Sequence, residues 1–402
     1  MAKVVVVGGG QAASSCVARL RAKGFEGTIT LIGEEPVVPY QRPPLSKAYL
    51  LGDMELERLY LRPQAFYEDN GIDLHLNELA TGIDTDAKTV QAGDHAHDYD
   101  HLVLCTGSAP RRLPAAIGGD LEGVFVVRTL ADVDAMEPRF TKGARVLIVG
   151  GGYIGLEAAA VAAKLGLKVT LVEAADRILQ RVAAQQTSDY FRDLHTSHGV
   201  DIREGVGLSK LTGEGAVTGA ELADGTTLEV DFVIVGVGIT PTSGLAEAAG
   251  LELDNGIAVN AQCQTSDPSI WAAGDCASFV HNGTRMRLES VGNAIDMGEL
   301  VADNIMGAGR DYVAKPWFWS DQYDTKLQIA GLNAGYDKIV TRKGAGDEVS
   351  FWYYAGDKLL AVDAMNDSRA YMVGKRLIEG GKSPAAEAVA DASTDLKALL
   401  KA

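Results

Sequence analysis

Only four cysteines occur in the 402 residues, Cys16, Cys105, Cys263 and Cys276, and no two stand in a C-x-x-C or C-x-x-x-x-C spacing. That excludes a catalytic dithiol, a cysteine-built zinc site and an iron–sulfur cluster. Cys16 falls in a predicted helix and Cys105 ends an apolar strand, so they read as small buried hydrophobes. No run approaches the roughly 20 apolar residues a membrane helix needs. Positive charge is also short. With 37 Lys/Arg against 54 Asp/Glu the net charge is −17, which repels nucleic acid and anionic membranes. Met1-Ala2-Lys3 leads directly into Val4–Val7, without an apolar segment behind a basic start. No signal peptide is therefore expected, and the chain reads as cytoplasmic.

What is present is a pattern used twice. Val4–Val7 runs into Gly8-Gly9-Gly10, a helix predicted through Lys23 and a strand at Thr28–Ile32; about 140 residues later Arg145–Val149 runs into Gly150-Gly151-Gly152, a helix through Lys164 and a strand at Lys168–Val172. Continuous β-branched runs are the mark of parallel strands buried on both faces. Each opening reads as one βαβ nucleotide-binding half. Further strands are expected at Asp73–Leu76, Asp98–Leu104, Asp231–Val235 and Ile270–Ala273, and Asp224-Gly225-Thr226 reads as a hairpin turn. After residue 316 the texture turns aromatic, with strands at Val349–Tyr354 and Lys358–Asp363 followed by helices. The expected fold class is α/β: two Rossmann-like dinucleotide-binding domains, in the manner of glutathione reductase, plus a C-terminal α+β domain. Its boundaries are 1–112 with 246–316, then 113–245, then 317–402.

A lone glycine motif is weak; its place between a buried strand and a helix gives it meaning. Gly8, Gly10, Gln11, Ala12 and Ala13 form a turn in which glycine lets a pyrophosphate approach the backbone, while the helix N-terminus offers free N–H groups. Glu34, 24 residues after Gly10, is placed to bind ribose hydroxyls. The second turn, Gly150, Gly152, Tyr153, Ile154 and Gly155, is complete, and Glu173 closes its second strand. A carboxylate there accepts from a ribose diol but repels the additional phosphate of NADP. Two unit charges 4 Å apart repel by about 1 kcal/mol in water and about 4 kcal/mol at an effective dielectric near 20. NADH is therefore expected to be preferred, although Arg177 stands close enough in sequence to receive a phosphate. Two dinucleotide sites imply one resident cofactor and one exchanging nicotinamide.

Val6-Val7-Gly8, Pro43-Pro44-Leu45-Ser46-Lys47, Thr106-Gly107, Gly150-Gly151-Gly152-Tyr153-Ile154-Gly155-Leu156-Glu157, Ala273-Gly274-Asp275 and Phe318-Trp319-Ser320-Asp321-Gln322-Tyr323 together resemble the FAD-containing, NADH-dependent ferredoxin reductases. That family includes putidaredoxin reductase and the reductase components of aromatic-ring dioxygenases, and the likeness spans essentially the whole chain. Pro43–Lys47 sits where a disulfide reductase would carry its redox cysteines, so the electrons must leave to another molecule.

The resemblance implies roles. Ala12 would approach the FAD pyrophosphate, Glu34 the adenosine ribose, Ala80 the adenine, and Arg42 the diphosphate side. Lys47 would face the flavin N5 and O4 edge, paired with Glu157 near the nicotinamide. Thr106, Gly107, Arg128, Gly274 and Val291 would line the cofactor, with Asp275 on the ribityl chain and a helix beginning near Cys276 aimed at the pyrimidine. Trp319 would lie beside the isoalloxazine, and Gly236, Val237 and Gly238 beside NADH. Two departures from the family pattern, Met297 for glutamine and Cys105 for alanine, read as packing changes. Hydride transfer needs stacking at roughly 3–3.5 Å rather than a general base, and the seven histidines receive no role.

The implied reaction is hydride transfer from NADH to FAD, then one-electron transfers to a [2Fe–2S] ferredoxin serving a haem monooxygenase or Rieske dioxygenase. Residues 321–402 carry 11 Lys/Arg against 12 Asp/Glu, so Lys338, Arg342, Lys343, Lys375 and Arg376 are the candidate docking patch for an acidic ferredoxin. Two other readings stay open: a redox-sensing flavoprotein resembling apoptosis-inducing factor, and an NADH oxidase, which would normally carry a cysteine near residues 40–47.

Overall fold

A computed structural model describes residues 1–401. The chain divides into two compact units. One comprises Met1–Arg42, Met54–Ala109 and Ile239–Lys315; the other comprises Pro43–Asp53, Pro110–Gly238 and Pro316–Ala402.

In the first unit, Lys3–Val7 lies at the centre of a five-stranded parallel sheet. Its order is Ile270–Ala272, His101–Leu104, Lys3–Val7, Thr28–Gly33, Ile72–Leu76. The valines are buried on both faces, as the unbroken β-branched run requires. Helix Gln11–Ala22 packs along Val291–Ile305. The contact is close because Gly298 has no side chain: a Cβ there would stand 2.4 Å from the Ala12 carbonyl oxygen. Met297 is fully buried, with Asn293 Nδ2 3.4 Å from its Sδ.

Two expectations need correction here. No helix begins near Cys276. Ala277–His281 is a strand paired antiparallel with Thr284–Met286, and the helix begins only at Val291, where the Ser290 side chain accepts from Asn293 N. The reason is the turn Asn282-Gly283, whose left-handed φ values of 49° and 80° suit a tight hairpin between β-prone residues. The strand drawn from Asp98 to Leu104 is two: His95–Asp98 belongs to an antiparallel three-stranded sheet, and His101–Leu104 to the parallel one.

The second unit repeats the parallel plan in the order Asp201–Glu204, Lys168–Glu173, Arg145–Val149, Phe232–Val235, Val124–Phe125. The hairpin Gly219–Leu222 to Thr227–Glu229 turns at Asp224-Gly225 as expected. The C-terminal portion is a five-stranded antiparallel sheet, in the order Trp317–Gln322, Thr325–Gly331, Lys358–Met365, Val349–Ala355, Lys338–Lys343. Helix Ser368–Glu379 covers it over a core of Trp352, Val362 and Leu377. Among the described residues no helix is long and apolar enough to cross a membrane.

Candidate functional site: two dinucleotide cradles and a buried lysine–glutamate pair

The first cradle lies at the C-terminal ends of the first unit's parallel strands, where open α/β sheets bind ligands. Gly8 donates to the Ile32 carbonyl (2.8 Å) at φ 126°, and a Cβ on it would fall 2.1 Å from the Cys105 carbonyl oxygen. Only glycine turns the chain there. Gly10 then caps helix Gln11–Ala22 with no side-chain hydrogen bond among the described residues, no acid in the first turn, and open space where its Cβ would be. An uncapped helix N-terminus facing open space suits a pyrophosphate. Ala12 and Ala13 are buried behind it, and Glu34 is exposed past the tip of the second strand.

Arg42 is held rather than free. Its guanidinium donates to Glu35 (2.7 Å) and to the Tyr40 hydroxyl (3.1 Å), which itself donates to Glu35 (2.6 Å). Glu35 was not singled out from the sequence; only the adjacency of two acids hinted at it. Thr106 donates to the Thr242 carbonyl (2.5 Å), and Gly107 accepts from Thr242 N (2.9 Å). Half-buried Asp275 accepts from Ser108 (2.8 Å), and its carbonyl accepts from Arg287 (3.1 Å). Ser108 and Arg287 are also additions to the reading; Ser108 stands 167 residues from Asp275 in sequence and Arg287 only 12. Gly274, at φ 84°, leaves only 3.2 Å between a would-be Cβ and that of Ala12. Ala80 opens an antiparallel strand and pairs with Ala92.

The second unit holds the other cradle. Gly150 donates to the Val172 carbonyl (2.8 Å), and a Cβ on it would meet the Gly236 carbonyl oxygen at 2.3 Å. Gly155 must also be bare, since its Cβ would lie 2.1 Å from the Gly150 carbonyl oxygen. Gly152 caps helix Tyr153–Lys164 without a side-chain bond among the described residues. Ile154 and Val237 stand exposed at this end, by 44% and 39%, as apolar surface available to a planar ring. Glu173 accepts from Gly151 N (2.7 Å) and Ala175 N (2.8 Å), which fixes its carboxylate beside the turn. Arg177 is occupied by its own loop, bonding Ser188 and the Ala183 carbonyl (2.8 Å).

Pro43–Ser46 forms a short 3-10 turn in this same unit and delivers Lys47 to the second helix. Lys47 Nζ lies 2.9 Å from Glu157 Oε1 and 3.9 Å from Asp321. Glu157 is buried and also accepts from Ser46 (3.0 Å) and Ser320 (2.7 Å). Burial raises the Glu157 pKa above the usual carboxylate range, with Lys47 and the two hydroxyls pulling against it. From Ser320 a hydrogen-bonded chain continues through Gln322 (3.1 Å) to buried His195 (2.7 Å) and on to Tyr323 (3.1 Å). His195 thus has a place that nothing in its local sequence signals.

Strand alternation separates the aromatics after residue 316. Trp319 stacks on Trp317, with centroids 5.4 Å apart, whereas Phe318 contacts Tyr153. Arg128 precedes a helix capped by Thr129 and Asp132, and its N–H donates to Asp132 (3.1 Å).

The docking patch is not as expected. Arg342 is buried, donating to the carbonyls of Val389 (3.0 Å), Asp391 (2.7 Å), Ala392 (3.2 Å) and Thr394 (2.8 Å). It braces the C-terminal segment instead of facing solvent. Lys375 pairs with Glu379, while Lys338, Lys343 and Arg376 are exposed.

Two glycine-turn cradles on separate parallel sheets define an oxidoreductase of the two-dinucleotide type. Comparison with known proteins makes the class specific. The family model described as pyridine nucleotide-disulphide oxidoreductase matches residues 2–298, and that described as reductase C-terminal matches 317–400. A ferredoxin–NAD(P)(+) reductase of Sphingomonas sp. is 44% identical, over 94% of this chain and 92% of its own. Putidaredoxin reductase of Pseudomonas putida is 42% identical, over 99% and 97%. The crystal structure of a covalent putidaredoxin reductase–putidaredoxin complex superposes with a TM-score of 0.96 at 40% identity, covering 100% of this chain and 98% of that one. The chain belongs to the pyridine nucleotide–disulphide oxidoreductase family, in its ferredoxin-reductase branch. It is an enzyme that works with FAD and a nicotinamide dinucleotide.

Proposed function

We propose that this chain is an NADH-dependent ferredoxin reductase that supplies electrons, one at a time, to a [2Fe–2S] ferredoxin serving an oxygenase. One observation carries the reading: two dinucleotide cradles are built, yet no thiol is available to take the electrons onward. All four cysteines are buried and unbridged. Burial pushes Cys16 and Cys263 up to about 12 and raises Cys105 and Cys276 as well, so none has the thiolate character of a redox cysteine. An NADH oxidase that works through a cysteine is disfavoured on the same ground.

FAD, when bound, would supply the step between two-electron and one-electron chemistry. The chain's own residues would position it. Gly8, Gly10 and Gln11–Ala13 would hold the pyrophosphate, Glu34 the ribose, and Ala80, Arg128, Thr106, Gly107, Gly274, Asp275 and Val291 the remainder, with Arg42 kept in place by Glu35. Lys47 would meet the flavin edge and Trp319 its ring, while Glu157, Ser46 and Ser320 restrict the lysine to one rotamer. Gly150–Gly155 and Gly236–Gly238 would take NADH. Glu173 disfavours an additional phosphate, and Arg177 is tied to its own loop. The domains divide as 1–112 with 246–316, 113–245 and 317–402, the docking face reduces to Lys338, Lys343 and Arg376, and the compartment is the cytoplasm.

Anaerobic titration of the purified protein with NADH, followed by an oxidised [2Fe–2S] ferredoxin, tests the reading. The flavin band should bleach and then return as the ferredoxin is reduced. Bleaching without ferredoxin reduction would favour a sensor, and a colourless protein unable to take up FAD would end the proposal.

A further inference from the structure

We propose that His75, Glu78 and His97, none of them assigned to either dinucleotide cradle, bind one divalent transition-metal cation of the zinc class. All three residues belong to the first unit. His75 is on the edge strand of the parallel sheet, Glu78 follows in the turn where its N–H donates to the Gly33 carbonyl (2.9 Å), and His97 is on the antiparallel strand His95–Asp98. Each offers one donor atom, and these atoms lie within 4.8 Å of one another. The His75 and His97 rings meet edge to face, with centroids 4.5 Å apart.

Hydrogen bonding shows what the cluster lacks. Glu78 Oε2 and His97 Nε2 are buried with no hydrogen-bond partner among the described residues. Buried polar atoms nearly always have a partner, and here two ligand-type atoms in one cluster have none. The surroundings supply the usual support of a metal-bound imidazole. His75 Nδ1 faces Glu78 Oε1 at 3.3 Å, while its Nε2 meets Asp73 Oδ2 at 3.1 Å. A ring ligating through Nδ1 would therefore donate its other N–H to a carboxylate, which fixes tautomer and orientation. Two imidazoles and one carboxylate suit zinc and its neighbours rather than calcium or magnesium.

Ligand bonds of 2.0–2.1 Å in tetrahedral geometry put donor atoms about 3.3 Å apart. The His75–Glu78 pair already has that spacing, so closure requires up to about 1.5 Å from His97, a shift within the broad χ2 range of histidine. Asp73 and His97 also line a surface cavity of ≈ 360 Å³, together with Lys3 and Asp98, which gives a cation a way in. Once bound, the cation would fasten the edge of the parallel sheet to the antiparallel one.

The test uses untagged, FAD-loaded protein, stripped with chelator and titrated with Co2+, then with Zn2+ in competition. The expected result is one equivalent of Co2+ with visible ligand-field bands, displaced by Zn2+. Affinity should fall at least 100-fold in His75→Asn/His97→Gln and about ten-fold in Asp73→Asn, with flavin content and NADH-dependent ferricyanide reduction unchanged. Absence of saturable one-to-one binding would overturn the site, as would undiminished affinity in the double variant. If that variant loses its flavin, Glu78→Gln decides, because it keeps the shape: affinity must fall ten-fold or more, and unchanged affinity overturns the proposal.

Discussion

Arg342 allows a sharp test, because two roles for it predict opposite outcomes. As a docking residue it would contribute little to stability, and its loss would raise the KM for ferredoxin. As a brace it holds four carbonyls of the C-terminal segment at 2.7–3.2 Å. Hydrogen bonds to charged groups contribute about 1.5–3 kcal/mol each, which would total about 6–12 kcal/mol if all four acceptors were sealed. They are not: Val389 is buried, but Asp391 and Ala392 are exposed, so water can replace most of the lost donors. A cost of about 2–4 kcal/mol is expected for Arg342→Ala, lowering the melting temperature by roughly 2–5 °C. Scanning calorimetry on the FAD-loaded protein measures this, and ferricyanide reduction should survive at temperatures below the transition. Lys343→Glu should leave the melting point within about 1 °C, as for ordinary surface changes, while raising the ferredoxin KM. An Arg342→Ala protein with an unchanged melting point and a raised ferredoxin KM would refute the brace.

Other consequences follow from the same structure. Gly8→Ala should yield protein that does not retain FAD, measured as flavin absorbance per chain, since the new methyl would lie 2.1 Å from a backbone carbonyl; normal flavin content would contradict the cradle. Glu173→Ala should raise the NADPH-to-NADH ratio of kcat/KM by ten-fold or more, equivalent to about 1.4 kcal/mol, because part of a Coulomb repulsion of up to about 4 kcal/mol is removed. A ratio unchanged in steady-state kinetics would place the specificity elsewhere. Burial lowers His195 to about 4, so the folded state resists its protonation: that stability is complete above pH 6.5 and declines as pH falls toward 4, by up to about 3 kcal/mol. Asp363 has the opposite sign. Burial raises it to about 6, so its contribution is present below the unfolded carboxylate pKa and is lost as pH rises through 6. Urea titrations between pH 4 and 7 should show a flatter acid limb for His195→Gln and a steeper one for Asp363→Asn; parallel curves would refute both assignments.

What the sequence disclosed follows the reach of each signal. Both strand–glycine–helix openings were legible because burial, turn and helix all lie within thirty residues, and Gly8, Gly150 and Gly155 are each required bare by a neighbouring carbonyl. The Asn282-Gly283 hairpin was equally local, yet it was overridden by the expectation of a helix after Asp275. The misplacement of Arg342 was also avoidable: it shares strand parity with Val340, and residues two apart point to one face. Other features had no local sign. Nothing near residue 195 in sequence indicates that its imidazole will meet Gln322, 127 residues away, or that Ser108 will hold Asp275.

These long-range contacts decide how the lysine–glutamate pair works. Lys47 belongs by sequence to the segment after the first glycine turn, but Pro43–Asp53 is grouped with the second unit, and Tyr49 anchors it there through Asp134 (2.9 Å). A buried carboxylate with one cation beside it would be a poor bargain, because desolvating both charges costs more than weak geometry returns. Ser46 and Ser320 alter that balance by filling the other acceptor positions of Glu157, and Gln322 and His195 keep Ser320 turned toward it. The carboxylate is therefore placed from three sides, and the member left partly open to solvent is the lysine. Its side chain is 17% exposed, which leaves the ammonium able to meet a further group while its counter-charge stays fixed.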